Sequence, residues 1–287
     1  MEISEVSNGS SGFPHKLLEV RPPIKKLWYR GEWREELFTK TVAVVGSRRM
    51  SRYGRSVIED VVPKLCSAGF TIVSGLMYGV DQLAHKITLE QGGVAVAVLG
   101  WGIERANDPE SDRLADEIVA HGGVVLSEYS GETRGQLWTF PQRNRIVVGL
   151  SDIVIVVEAG VKSGTMSTVR WAAKMGKPVY AVPGSMFSST SEGANFMIET
   201  GMAKPLTPSV IDGIIGSGVS LIHKDAVRPV LSGVENVIYE QLELLGPQSI
   251  NELARSTGGQ VGEILSTLAS LEMRGVVIEE RGIFGIV

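Results

Sequence analysis

The chain has one cysteine and four histidines in 287 residues. A single thiol excludes an internal disulfide and a cysteine metal cluster, and no two histidines stand at ligand spacing, so neither a metal nor a redox pair is expected. Cys66 sits in VVPKLCSAG on the apolar side of a predicted helix and reads as a core thiol. Long apolar runs are also missing. None approaches the roughly 20 residues a membrane helix needs, and the start MEISEVSNGSSGFPHK has neither a basic head nor an apolar stretch. The expected compartment is therefore the cytoplasm, with no membrane association. What is present is ordinary globular material, 43% hydrophobic and 21% charged, with 34 glycines that gather where strands end.

The net charge of -4 argues superficially against a polyanionic partner, but its distribution matters more. Residues 40–55 hold five basic side chains and no acidic one, whereas residues 235–287 hold three basic and eight acidic, a net -5. A local basic patch attracts an anionic polymer whatever the total.

Along the chain, residues 1–12 read as a polar flexible tail and 13–36 as an N-terminal extension. In that extension Pro22 and Pro23 forbid a continuous helix, while Trp28, Tyr29 and Trp33 supply surface to clamp it onto a neighbour. From 37 to 212 short apolar strands (41–46, 70–75, 94–100, 124–129, 152–160, 178–184) alternate with amphipathic helical stretches. Strands such as VAVAVL and IVIVV are apolar on both faces, as a parallel sheet covered on both sides requires. The expected fold is α/β, a Rossmann-like open parallel sheet covered by helices. Residues 213–234 read as a linker, and 235–287 as three short helices and a hairpin, a small winged-helix domain in which Ser249 and Glu252 form a capping box.

In an open parallel sheet, ligands bind beyond the carboxyl ends of the strands. Glycine, hydroxyl and basic residues collect at those ends. Gly46, Ser47 and Arg48 follow the first strand; Ser74, Gly75 and Gly79 follow the second; Lys162, Ser163, Gly164 and Thr165 follow the fifth and precede a helix. Each alone is a turn that needs glycine, but together they describe an anion-binding edge. TFPQRNRIVVG adds Phe140, an apolar platform for a base, with Arg143, Asn144 and Arg145 to meet its phosphate. The alternative is that Phe140 is core and one arginine pairs with Glu128 or Glu158. VVGSRRMSRYG lacks GxGxxG spacing and no Walker turn is present, so no nucleotide cofactor is expected. Asp81, His85, Glu128 and Glu158 lie near the same edge, yet Asp81 and His85 at i,i+4 imply a mutual hydrogen bond, and no catalytic residue is assigned.

The segments VAVVGSR, SGLMYGVDQLAH, GGVAVAVLGWG, LSEY, FPQRNRIVVGLSDIVIVVEAGVKSGTMSTVRWA and AVPG followed by GAN make residues 13–210 resemble the DprA/Smf family of DNA-processing proteins. The resemblance implies single-stranded DNA binding, a homodimer, interaction with the recombinase RecA and its loading onto DNA during natural transformation. It carries the DNA pocket onto Gly46, Ser47, Arg48, Phe140, Arg143, Asn144 and Arg145, with Ser163, Gly164 and Thr165 as phosphate contacts, and makes the region of Met197 and Ile198 a dimer candidate. The chain departs from the family pattern at Met77 and at Ala106, Asn107 and Asp108, and residues 1–12 leave no room for the helical N-terminal domain of many members. Two other readings stand beside it. One is a nucleoside-monophosphate phosphoribohydrolase with Glu158 in its site, although the turn at 163–165 lacks that group's doubled glycine. The other is a transcription regulator acting through the winged helix.

Overall fold

The computed structural model describes residues 2–216, 231, 233–245, 248–274, 276–280 and 282–286, in two compact units, Met1–His223 and Lys224–Val287. In the first unit the predicted strands form β3 (Thr41–Val45), β4 (Thr71–Ser74), β5 (Ala95–Leu99), β6 (Val124–Ser127), β7 (Ile153–Val156) and β8 (Val179–Ala181), all parallel. Their apolar residues alternate between two buried faces. Ala43, Val45, Val154 and Val156 face one core, and Val42, Val44, Ile153 and Ile155 face the other. On the second face pack α1 (Arg52–Ser67), α2 (Val80–Glu90), α3 (Pro109–Ala120) and α7 (Pro208–Gly216). The first face takes α4 (Thr139–Leu150), α5 (Thr165–Lys174) and α6 (Glu192–Glu199).

One sequence expectation needs correction at the N-terminus. Residues Ser4–Ser7 form β1 rather than part of a loose tail, and the extension contributes β2 (Lys26–Gly31). β1 pairs antiparallel with β2, and β2 pairs antiparallel with β6, so the edge of the parallel sheet is covered. That pairing moves the sheet edge from β6 out to the short strand β1, and buried Val6 and Leu27 join the core. A two-residue strand β9 (Lys204–Pro205) closes the other edge, giving the order β1-β2-β6-β5-β4-β3-β7-β8-β9. Asp108, in the segment that departs from the family pattern, accepts from the Ser111 N–H at 3.0 Å and caps α3 ahead of Pro109. Met197, expected on a dimer surface, is wholly buried in its own core, so only Ile198 of that pair is partly exposed. Cys66 is partly buried against the second core, and burial pushes its thiol pKa up, away from nucleophile range.

The expected linker, 213–234, begins inside α7, and its residues 217–230 and 232 lie outside the described residues. The second unit holds α8 (Val234–Leu245), β10 (Gln248–Ser249), α9 (Ile250–Thr257), α10 (Val261–Met273), β11 (Val277–Glu280) and β12 (Ile283–Ile286). Ile238, Leu242, Leu253, Ile264, Leu268 and Phe284 make its core. Both hydrogen bonds of the Ser249–Glu252 capping box are formed.

Candidate nucleic-acid site

The chain runs β3 to β6 in one direction across the sheet, then returns through α4 to β7 on the other side of β3. β3 and β7 therefore flank the switch point of the sheet, where the loops beyond the strand ends diverge and leave a crevice. A cleft of about 490 Å³ opens there. Its walls come from the loop after β3 (Gly46 to Arg49), the loop after β4 (Gly75, Met77), the start of α5 (Ser163 to Thr165) and one face of α4.

The helical period decides which α4 residues reach the cleft. Phe140, Arg143, Asn144 and Val147 are spaced i, i+3, i+4, i+7 and all line it. Arg145, about 200° round the helix from Arg143, points away. It is 1% exposed and gives Nη2 to Glu128 Oε1 at 2.6 Å, Nε to the Pro22 carbonyl at 3.2 Å and Nη1 to the Gln142 carbonyl at 3.2 Å. Its expected place among the phosphate ligands is thereby corrected, because the residue ties α4 to the N-terminal extension.

Arg143 forms the floor. At 3% exposure it donates through Nη1 to the carbonyls of Gly75 (2.7 Å) and Val98, and through Nε to Asn144 Oδ1 at 3.2 Å. Nη2 has no intramolecular hydrogen bond among the described residues. A Cβ at Gly75 would stand 2.4 Å from that Nη2, so any larger residue there has to displace the guanidinium from the floor. Asp81 lies beside it, accepting through Oδ2 from the N–H groups of Gly75 (3.1 Å) and Met77 (3.4 Å). Burial pushes the Asp81 carboxyl up to about 6 against the pull of Arg143, and burial lowers Arg143 to about 10 against the pull of Asp81. At neutral pH the floor still holds a guanidinium and a largely ionised carboxylate. The mutual bond expected between Asp81 and His85 is not made. Both His85 nitrogens are buried without a hydrogen-bond partner among the described residues, and burial, then the field of Arg143, lowers its pKa to about 3.

Above the floor, the Arg48 guanidinium lies 5.5 Å from the Phe140 ring centroid, an exposed cation over a partly exposed ring. Ser47 fixes the loop by bonds between its Oγ and both the N–H and carbonyl of Arg49, each 3.1 Å. Gly79 holds a φ of +82° against this loop, and a Cβ there would lie 2.3 Å from the Ser47 carbonyl. At the far wall, Ser163 Oγ is buried without a partner among the described residues, at the N-terminus of α5. Asn144 Nδ2 donates to Ser167 Oγ at 2.8 Å and secures α4 to α5.

The remaining expected residues lie elsewhere. Ser74 is fully buried and donates to the Val44 carbonyl at 2.7 Å, which makes it part of the sheet. Gly79 shapes the loop without lining the cleft, and exposed Lys162 is not on its wall. Glu158 is buried and accepts from the Ser51 N–H (2.8 Å), Ser51 Oγ (2.5 Å) and Thr190 Oγ1 (3.0 Å). Its oxygens are committed to holding two loops together. Arg49, Leu137 and Thr168 line the cleft and were not singled out by the sequence. Arg49 was discoverable as the neighbour of Arg48 in the basic run; Leu137 carried no signal.

Residues 5–214 match the family described as DNA recombination-mediator protein A, and 223–282 match the DprA winged helix domain. A Mycobacterium tuberculosis protein that carries the DprA name is 34% identical over 87% of this chain, but the match spans only 65% of that protein's length. The Smf protein of Escherichia coli is 33% identical, covering 95% of this chain and 74% of its own. The structure of DNA processing protein A from Streptococcus pneumoniae superposes with a TM-score of 0.67 at 36% identity, over 73% of each chain. That of Helicobacter pylori, described for its single-stranded DNA binding mode, gives 0.67 at 30% identity over 75% of this chain and 95% of the other. On fold, family models and relatives alike, the chain belongs to the DprA/Smf family of DNA-processing proteins.

Proposed function

We propose that the cleft between the loops after β3 and β7 holds single-stranded DNA and performs no chemistry on it. The observation that carries this reading is the Arg48 guanidinium over the Phe140 ring at the switch point of the sheet. A base that stacks on Phe140 places its phosphate within reach of Arg48, Arg49, the unpartnered Ser163 Oγ and the first amides of α5. The single-stranded DNA binding of the Helicobacter pylori relative supports it. A strand threaded this way exposes its bases to the wall, which a duplex cannot do. Loading of the RecA recombinase onto the bound strand, in natural transformation and recombination, by a cytoplasmic homodimer follows the family resemblance.

The phosphoribohydrolase reading requires a free glutamate at this edge, and Glu158 has its oxygens occupied by Ser51 and Thr190. The test is fluorescence anisotropy of labelled oligo-dT against a duplex of equal length, with Phe140→Ala alongside. Single-strand preference, weakened by about 1–3 kcal/mol in Phe140→Ala, is the expected result. Equal affinity for duplex, or release of a base from AMP or GMP by the purified protein, contradicts the proposal.

A further inference from the structure

Beside the cleft lies a second recess of about 350 Å³ whose lining includes Ser51, Tyr53, Glu158, Ser185, Ser188 and Ser191. Arg49 lines the cleft and Ser51 lines the recess, so one intervening residue, Met50, and at most about 7 Å of chain separate them. The recess is walled by hydroxyls. Its one carboxylate, Glu158, is buried and hydrogen-bonded, while, next to Arg48 of the cleft, the exposed charges flanking Ser51 are Arg49 on the connecting loop and Arg52 at the first position of α1. Neither arginine has an ion pair among the described residues.

One aromatic side chain, Tyr53, lines this recess, and a second, Phe187, stands on the loop that contributes Ser185 and Ser188 without lining it. Tyr53 is 49% exposed, and its hydroxyl donates to the Pro183 carbonyl at 2.8 Å, so the ring is held in place with part of its surface in water. Phe187 lies between the lining residues Ser185 and Ser188 and is 91% exposed, next to Met186 at 81%. This exposure is not that of a loose loop. Phe187 N–H donates to Ser185 Oγ, Ser188 N–H to the Ser185 carbonyl and Thr190 Oγ1 to Glu158, and Asn195 exchanges two bonds with the Gly184 backbone. A tightly bonded loop thus lifts two large apolar side chains into solvent, an arrangement that costs free energy in the isolated protein.

We infer that the serine-lined recess is a second nucleotide subsite, in which the strand leaving the cleft crosses Arg49 and Arg52 and stacks bases on Tyr53 and Phe187. Continuity with the cleft, free arginines and aromatic faces pick out a single-stranded polyanion as the occupant. This inference rests on the proposed function of the cleft, and it adds a direction: the strand runs from the β3–β7 crevice toward the loop after β8.

The experiment is oligo-dT binding by the full-length chain at two lengths, about 5 and about 15 nucleotides, within the range a single-strand site covers. Tyr53→Ala and Phe187→Ala are expected to leave the short oligonucleotide's affinity unchanged and to weaken the long one about tenfold. Tyr53→Phe, which keeps the ring, is expected to retain most of the long-oligonucleotide affinity. Phe187 is almost wholly exposed, so its replacement leaves the core intact. Arg48→Ala serves as the control for the cleft and should weaken both lengths. No effect of Tyr53→Ala and Phe187→Ala on the long oligonucleotide, or equal losses at both lengths, overturns the subsite. An unaffected Arg48→Ala overturns instead the cleft on which it rests.

Discussion

Three arginines within reach of one helix play three separate parts. Arg48 is exposed and is held over an aromatic ring, so its removal should cost binding and spare stability. Arg145 is the reverse case. Arg145→Met strands Glu128 beside an apolar group and is expected to cost about 3–5 kcal/mol of stability without changing the salt dependence of binding, as urea melts beside anisotropy would show. Arg143 combines both, since its loss frees the Gly75 and Val98 carbonyls and leaves Asp81 without its nearest cation. The sequence motif shows that arginines stand here but not which way they face. Helical phase alone separates Arg143 from Arg145, and the extension that receives Arg145 is 123 residues distant in sequence.

Among the elements, α2 carries a buried acid and a buried base whose titrations oppose each other. Asp81 has a folded pKa of about 6 against an ordinary value of 3.8, so the native state takes its proton first, and stability rises as pH falls between those values. His85, lowered to about 3 from 6.5, takes its proton first in the unfolded state, and stability falls as pH drops through that window. The two effects offset between about pH 4 and 6. Asp81→Asn should therefore uncover the loss with acid, and His85→Leu the gain, each by up to about 1.4 kcal/mol per pH unit in denaturant midpoints. Parallel pH profiles for the two variants would contradict this account. Oligo-dT affinity should also rise as pH falls through about 6, because a protonated Asp81 no longer repels phosphate, and Asp81→Asn should flatten that rise.

The same scale explains what was readable in advance. β3 to β8 are short doubly apolar runs, and burial on both faces writes itself into composition. β1 and β2 carry mixed polar residues because the strands sit at the sheet edge, and Pro22 and Pro23 conceal the strand that follows them. The anion edge was legible because glycines and hydroxyls recur at successive strand ends. The recess at Tyr53 was not, since it is assembled from loops more than a hundred residues apart in the chain.

For the molecule as a whole, charge divides the labour. The winged-helix segment 235–287 carries a net -5, which opposes a phosphate backbone, whereas Arg48 and Arg49 of the basic run 40–55 line the cleft. Removing residues 224–287 is expected to leave oligo-dT affinity unchanged, and a large loss in the same anisotropy assay would assign DNA contacts to that unit. The measurement closest to the central claim is the dependence of oligo-dT affinity on salt, taken for the full chain and for Arg48→Ala. The account predicts weaker binding in the variant and a log–log slope shallower by about 0.7, the loss of one single-strand phosphate contact. Identical affinities and slopes would show that the strand does not pass through this cleft.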